Sequence, residues 1–451
     1  MLDTLFTNAQ IVTHTGRFHG CLGVQDGKIA CLAEKPDGLE AREVIDLEGK
    51  YLLPGCIDAH VHFQDPGITR REDFVCGTAA AAAGGVTTAI SHPLNVPPAI
   101  DKESYEFTKN CYEGRGYVDY AVHGGAVASN LDRVDALWRE TGATAIKMFM
   151  CFSVADFPYV EDDAMVSHFE ILAKNGGLAL IHCENDRILK KEEARLKAEG
   201  RKDGLAYNES HPIDGEHEAV RRAIFFLEKT GAAAVILHVT NPEDLKTIRE
   251  ARARGVKVYA ETCPHFFTFV KEDMLTHGPY LKFSPVMHDA SDRDGMWEML
   301  RRGYVDTFGS DHSPYEKSEK EPGETNIWDA PNGIPGIETL LPTLLNGVSE
   351  GKVSLERVVE VTSYNPSRIY GLWPRKGVLQ PGSDADFVVV DMDLCHTYTV
   401  EDMKSKCKWS PYFGRTFRGW PVRTVVRGRT VCLNGQIVGT QGWGQYVPRL
   451  K

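Results

Sequence analysis

The chain has 451 residues, a formal net charge of −12, 42% hydrophobic and 25% charged residues. That length suits one large core with a small appended one, and an ordinary apolar content without low-complexity tracts or repeats excludes a disordered or fibrous chain. The acidic balance, with no lysine or arginine cluster, excludes a nucleic-acid binder, because phosphate binding needs a basic face.

The first residues carry no basic segment followed by a long apolar one, and no later stretch is apolar for long enough to span a bilayer, so the expected place is the cytoplasm and no membrane partner is expected. The eleven cysteines fit this reading. They are scattered without a C-x-x-C metal pair, and Cys56, Cys151 and Cys183 sit in apolar runs, as core thiols in a reducing compartment do.

From Leu5 to about Leu53 short β-like runs alternate with turns, as in Ile11-Val12-Thr13 and at Asp26-Gly27, which reads as hairpins. The same texture returns after Gly377, in 385–390 and 422–432. Two β-rich ends predict one small β-sandwich built from both termini, residues 1–53 and 380–451. Between them, residues 54–379 alternate strand-like and helical stretches, as where Pro242, Glu243 and Asp244 open a helix after a strand. This is the pattern of a (β/α)8, or TIM-like, barrel in an α/β fold, with strands near 56–62, 86–91, 118–123, 145–150, 178–182, 235–238, 256–261 and 305–309.

Candidate polar residues fall at the C-terminal ends of these strands, where such barrels build their sites. The first strand ends in His60-Val61-His62, the fourth carries Lys147, the fifth ends at His182, the sixth at His238, and the eighth leads to Asp311. Four imidazoles and a carboxylate are a ligand set for a borderline metal such as zinc, and the two histidines of His-x-His share one side of an extended strand. A single histidine in an apolar strand is more often a hydrogen-bonded core residue, so the weight rests on the whole set. By itself Lys147 could be a substrate contact, a salt bridge or a metal bridge. Beside cations it must be neutral or carry an added negative group, and carboxylation by CO2 would make it a bridging carbamate. His92, His123, His265 and His312, also near strand ends or loops, are read as packing or supporting residues.

With these residues in place, the chain resembles the cyclic amidohydrolases: hydantoinases, dihydropyrimidinases, allantoinases and dihydroorotases. The likeness runs through 54–62, 84–88, 146–150, Glu261-Thr262-Cys263-Pro264-His265, Gly309 to Pro314, 376–379 and Gly382 to Asp386. It implies that His60, His62 and Asp311 hold one zinc, that His182 and His238 hold a second, and that a carboxylated Lys147 bridges them. It also implies a composite β-sandwich beside the barrel, and assembly into homotetramers or dimers. Asp311 would move the proton from the attacking hydroxide to the leaving ring nitrogen. Ser284 and Asn332 resemble segments that hold the ring amide through backbone groups, with a simple loop turn as the alternative.

Departures bear on the substrate. D-hydantoinases carry a tyrosine where this chain has Phe152, which has no hydroxyl for a developing oxyanion. The segment after Lys147 and residues 442–447 look like L-hydantoinases, whereas Pro93-Leu94-Asn95 and Trp409 to Tyr412 look like allantoinases. Asn95 joins the candidate substrate contacts on that ground. Dihydroorotase-like sequences follow His-x-His with an arginine two residues on; here that position is Gln64.

The expected substrate is a small five-membered cyclic ureide, hydantoin or a 5-substituted hydantoin first, allantoin next and a dihydropyrimidine third. A one-metal deaminase would not need Lys147 as a bridge. A non-catalytic, dihydropyrimidinase-like scaffold is disfavoured because all six ligand positions are filled.

Overall fold

In the computed structural model, which describes residues 1–450, five strands open the chain: β1 (Leu2–Thr13), β2 (Gly16–Gln25), β3 (Lys28–Ala33), β4 (Ala41–Asp46) and β5 (Tyr51–Pro54). Nine short strands follow: β6 (Cys56–Val61), β7 (Val86–Ser91), β8 (Asp119–Val122), β9 (Gly124–Gly125), β10 (Ile146–Phe149), β11 (Leu178–His182), β12 (Ala233–Ile236), β13 (Val258–Thr262) and β14 (Thr307–Phe308). The chain closes with β15 (Phe387–Thr397), β16 (Thr416–Val426), β17 (Arg429–Leu433) and β18 (Gln436–Ile437).

The two ends meet in one sheet of nine strands among the described residues, in the order β18-β17-β16-β15-β5-β1-β2-β3, with β4 also on β1. One edge of β1 is taken by β2, while the other is divided between β4 along 2–7 and β5 at 10–11. The β2–β3 hairpin turns on Asp26-Gly27 at φ 50° and 74°, the left-handed pair that a two-residue loop requires. Phe6, Ile11, Leu22, Val24, Leu52, Phe387, Val389 and Val425 form the core of this sheet, and Phe6 meets Phe387 edge-on at 4.8 Å.

The middle strands pair in parallel: β6-β7-β8 in one run and β9 to β14 in another. The third expected barrel strand is divided at His123, whose ring turns inward to donate from Nε2 to the Ala59 carbonyl. The eighth is shorter than expected, two residues only, and the wall closes through the segment after it. His62 N–H donates to the His312 carbonyl, and Ser310 N–H donates to Asp58. All residues of β6, β7 and β11 are buried, polar ones such as Asp58, His60 and Thr88 included. This is a (β/α)8 barrel carrying a β domain.

Helices follow the strands, and their caps fix the turns that carry the site. Asn185 caps helix Asp186–Ala198 just beyond β11, and Asn241 caps helix Pro242–Ala253 beyond β12, with Pro242 in its first turn. The β domain is fastened to the barrel by buried charge. Lys376 Nζ reaches Asp384 at 2.9 Å and Asp386 at 2.5 Å and also bonds Asp119 of β8, which bonds Arg427 in turn. Among the described residues no helix is long and apolar enough to cross a membrane.

Candidate active site

A cavity of about 300 Å3 opens at the C-terminal mouth of the barrel, and His60, His62, Lys147, His182, His238 and Asp311 all line it. They come from β6, β10, β11 and the segments just past β6, β12 and β14. Each strand spends its buried residues on the wall, and the set comes from its C-terminal part or from the few residues beyond it, except Lys147, which stands second in β10. His238 and Asp311 hold φ of 38° and 48°, and Gln64 holds 59°, so three non-glycine residues in the sparsely populated left-handed region cluster here.

The Nε2 atoms of His60 and His62 lie 3.1 and 3.2 Å from the same Asp311 oxygen. The His182 and His238 rings lie 4.5 Å apart, and His238 stands 5.5 Å from His60, so the two halves of the set adjoin. Lys147 is 1% exposed, with Nζ over the Phe149 ring at 4.2 Å. Burial pushes its ammonium down to about 8, so a neutral amine is accessible at moderate pH. Burial also opposes charge on His60, but Asp311 and Glu261 outweigh it and lift that ring to about 9, while burial takes His62 down to about 4. Although burial disfavours its charge, the two histidines hold Asp311 well below the usual carboxylate range.

This donor set fits divalent metal. The buried His238 Nδ1 bonds nothing among the described residues, His60 and His62 aim Nε2 at one point, and a buried lysine that pairs with no carboxylate can become a carbamate.

Supporting residues surround the candidate ligands. His60 Nδ1 lies 2.6 Å from Glu261 Oε1, and His182 Nε2 lies 2.7 Å from Glu184 Oε2. Each carboxylate holds one ring nitrogen as a donor and turns the other toward the site. Asp58 accepts from His60 N–H and Ser310 N–H, joining β6 to the segment that carries Asp311. The sequence reading did not assign these three carboxylates, although Glu261 was legible by the same rule that found the histidines, a polar residue ending a barrel strand. His92 stacks on His60 at 4.0 Å with both ring nitrogens unbonded among the described residues, so it packs beneath the set.

The candidate substrate contacts divide. Ser284, Asn332 and Gln64 line the cavity. Asn95 lines it too, but its amide donates to the Tyr112 hydroxyl at 3.0 Å and to the Asp65 carbonyl, so both amide hydrogens are committed to the fold. Phe152 does not line it. The residue is 59% exposed, its N–H donates to Asp186 Oδ1 beyond β11, and Phe149 and Phe157 face the cavity in its place. Ile68, Leu94, Val96 and Pro98 add apolar wall, and Arg71 stands at the rim, bound through Nε and Nη2 to Glu319.

The amidohydrolase family model matches residues 51–431. The chain is 36% identical over 452 residues to L-hydantoinase of Paenarthrobacter aurescens, covering 100% of this chain and 98% of that one. It is 37% identical over 420 residues to an allantoinase of Rubrobacter xylanophilus, covering 92% and 91%. The solved structure of L-hydantoinase (dihydropyrimidinase) from Arthrobacter aurescens superimposes with a TM-score of 0.97 at 36% identity, over 100% of both chains.

Proposed function

Because the chain belongs to the amidohydrolase family, we propose that it is a binuclear-metal hydrolase that opens the amide bond of a five-membered cyclic ureide, a hydantoin or 5-substituted hydantoin. The observation that carries this reading is the convergence of His60, His62, Lys147, His182, His238 and Asp311 on one cavity that Ser284 and Asn332 also line. In this reading His60, His62 and Asp311 hold one zinc-like cation, His182 and His238 hold the other, and a carboxylated Lys147 spans them. When bound, two such cations supply a hydroxide near neutral pH and polarise the scissile carbonyl.

The chain's own residues do the rest. The Lys147 amine adds to CO2, forming an N–C bond and releasing one proton, and its burial favours the neutral amine that this step needs. Asp311, the one carboxylate between His60 and His62, accepts the proton of the attacking water and returns it to the ring nitrogen as the amide C–N bond breaks. Ser284 and Asn332 hold the ring amide. The apolar wall from Leu94, Val96, Phe149, Val154 and Phe157 suits an apolar substituent at ring carbon five and excludes water around it.

Allantoin is the second reading. It is favoured by the polar groups at the same mouth, Gln64, Ser153 and Asp156, which could bond an exocyclic ureido group, and by full-length allantoinase relatives. Eleven cysteines without a disulfide among the described residues support a reducing, cytoplasmic setting, and a homo-oligomer, tetramer or dimer, is the assembly the family resemblance implies.

The test is a hydrolysis panel of hydantoin, 5-substituted hydantoins of both hands, allantoin, dihydrouracil and dihydroorotate, run on protein whose metal content has been measured. Ring opening of a hydantoin is expected, with two metal equivalents per chain. Lys147→Ala should lose most of both, and short carboxylic acids should restore part. Full metal occupancy in that variant would overturn the bridge, and inertness of the metal-loaded protein toward every ring would overturn the activity.

A further inference from the structure

Behind the cavity wall two lysines are buried without an acidic partner. Lys320 is 0% exposed, and Lys282 is 5% exposed. Neither forms an ion pair among the described residues; every hydrogen bond their ammonium groups make is to a backbone carbonyl. Lys320 Nζ donates to the Lys282 carbonyl at 3.2 Å and to the Pro331 carbonyl at 2.8 Å. Lys282 Nζ donates to the Ile327 carbonyl at 2.8 Å and to the Ala330 carbonyl at 2.5 Å. Aromatic faces cover both cations. Tyr315 and Trp409 lie 5.5 Å from Lys320, and Tyr207 lies 4.6 Å from Lys282.

Burying an ammonium is costly unless its donors are satisfied, so a pair of them calls for a reason. The carbonyls they hold supply one. The Lys282 carbonyl begins the segment Phe283-Ser284, the Pro331 carbonyl begins Asn332-Gly333, and all four of these residues line the cavity. The two segments also touch directly, Gly333 N–H donating to the Lys282 carbonyl at 2.9 Å. Gly333 has φ of 139°, and a Cβ there would stand 2.6 Å from the Ser313 carbonyl oxygen, so the loop is already drawn in as far as a glycine allows.

We propose that Lys320 is a positioning residue for the substrate ring, its Nζ tying the Lys282 and Pro331 carbonyls together and so fixing the gap between the two backbone segments that hold the ring amide. Lys282 completes the brace by holding the far end of the same loop. A donor on the Pro331 carbonyl polarises the peptide that follows, and the Asn332 N–H of that peptide has no acceptor among the described residues. Hydrogen bonds in series strengthen one another, so this N–H is the stronger donor for the bond behind it.

The inference rests on the ring-binding role given above to Ser284 and Asn332, and the test separates the two. Lys320→Met removes both donors at similar length, and Lys320→Gln keeps a shorter, neutral donor. Kinetics on whichever ring the wild type opens are combined with metal content and with hydrogen–deuterium exchange at 283–284 and 327–333. In Lys320→Met, KM should rise about tenfold or more, the loss expected when buried carbonyls are left unsatisfied, with kcat changed far less and two metals retained. Exchange at 327–333 should quicken, and Lys320→Gln should fall between Met and wild type. Wild-type KM in a folded variant overturns the proposal, as does unchanged exchange. If Lys320→Met does not fold, Lys320→Gln is read alone by the same criteria. If the wild type opens none of the rings, the ring-binding reading fails, while exchange still decides whether Lys320 braces the loop.

Discussion

His60 Nδ1 and Glu261 Oε1 stand 2.6 Å apart inside the barrel, from strands 201 residues apart in sequence. An ionised carboxylate can only accept, so Nδ1 carries a proton, and the Nε2 edge of the ring is turned toward Asp311 and the cavity. Glu261 decides which nitrogen of His60 the site can use.

Glu261→Gln should therefore weaken metal binding about 10- to 100-fold, the range for loss of such an outer partner, because an amide no longer enforces this tautomer. Competition with a chelator, read by metal analysis, checks it. Wild-type retention of metal would show that the rings are oriented by packing alone, with the His92 stack sufficient.

Asp311→Asn should cut turnover by about three orders of magnitude or more while the fold survives, since it removes the group proposed to move the proton. Circular dichroism and thermal melting establish the fold, and single-turnover rates establish the loss. Near-normal turnover would assign the proton to another group.

Dihydroorotate should be opened far more slowly than hydantoin or allantoin at equal concentration. Its exocyclic carboxylate needs a cation, because leaving that charge buried and unpaired costs several kcal/mol. Gln64 offers only an amide. Arg70 is paired with Glu316 and Glu319, and Arg71 with Glu319, so neither is free to replace the missing arginine. Gln64→Arg should narrow the gap, and efficient dihydroorotate opening by the wild type would remove the argument.

Glu338 is buried where it accepts from the Tyr398 hydroxyl at 2.9 Å and the Lys404 N–H at 2.6 Å. Burial outweighs these bonds and pushes its carboxyl from 4.5 up to about 7. The folded state therefore holds this proton more tightly than the unfolded chain does. The resulting stability is complete below about pH 4.3 and is lost as pH rises through about 7. Thermal midpoints measured near about pH 5 and about pH 8, bracketing most of that window, should differ less in Glu338→Gln than in the wild type. An equal difference in both proteins would show that this carboxyl does not contribute.

Much of the site was legible in the sequence because barrel strands announce their own ends. An apolar run that stops at a histidine, or that carries a lysine as Ile146-Lys147-Met148 does, marks a place where a side chain can leave the wall for the mouth, and that signal is local. The Asp26-Gly27 hairpin and the Pro242 helix start were readable for the same reason, since backbone geometry over a few residues sets them.

What only the tertiary structure decided are contacts whose partners are distant in sequence. The pairing of Glu261 with His60 depends on barrel closure, as does the hold of Asp58 on Ser310. The burial of Lys376 among Asp119, Asp384 and Asp386 depends on how the β domain docks. Phe152 follows Lys147 by five residues and was expected at the cavity, yet it stands exposed, with its N–H bonded to Asp186, 34 residues on. Nothing local in the sequence marks Lys282 or Lys320 as buried. Only the folded loop shows them buried, because the carbonyls that satisfy them are brought together by the path of the chain and not by any local pattern.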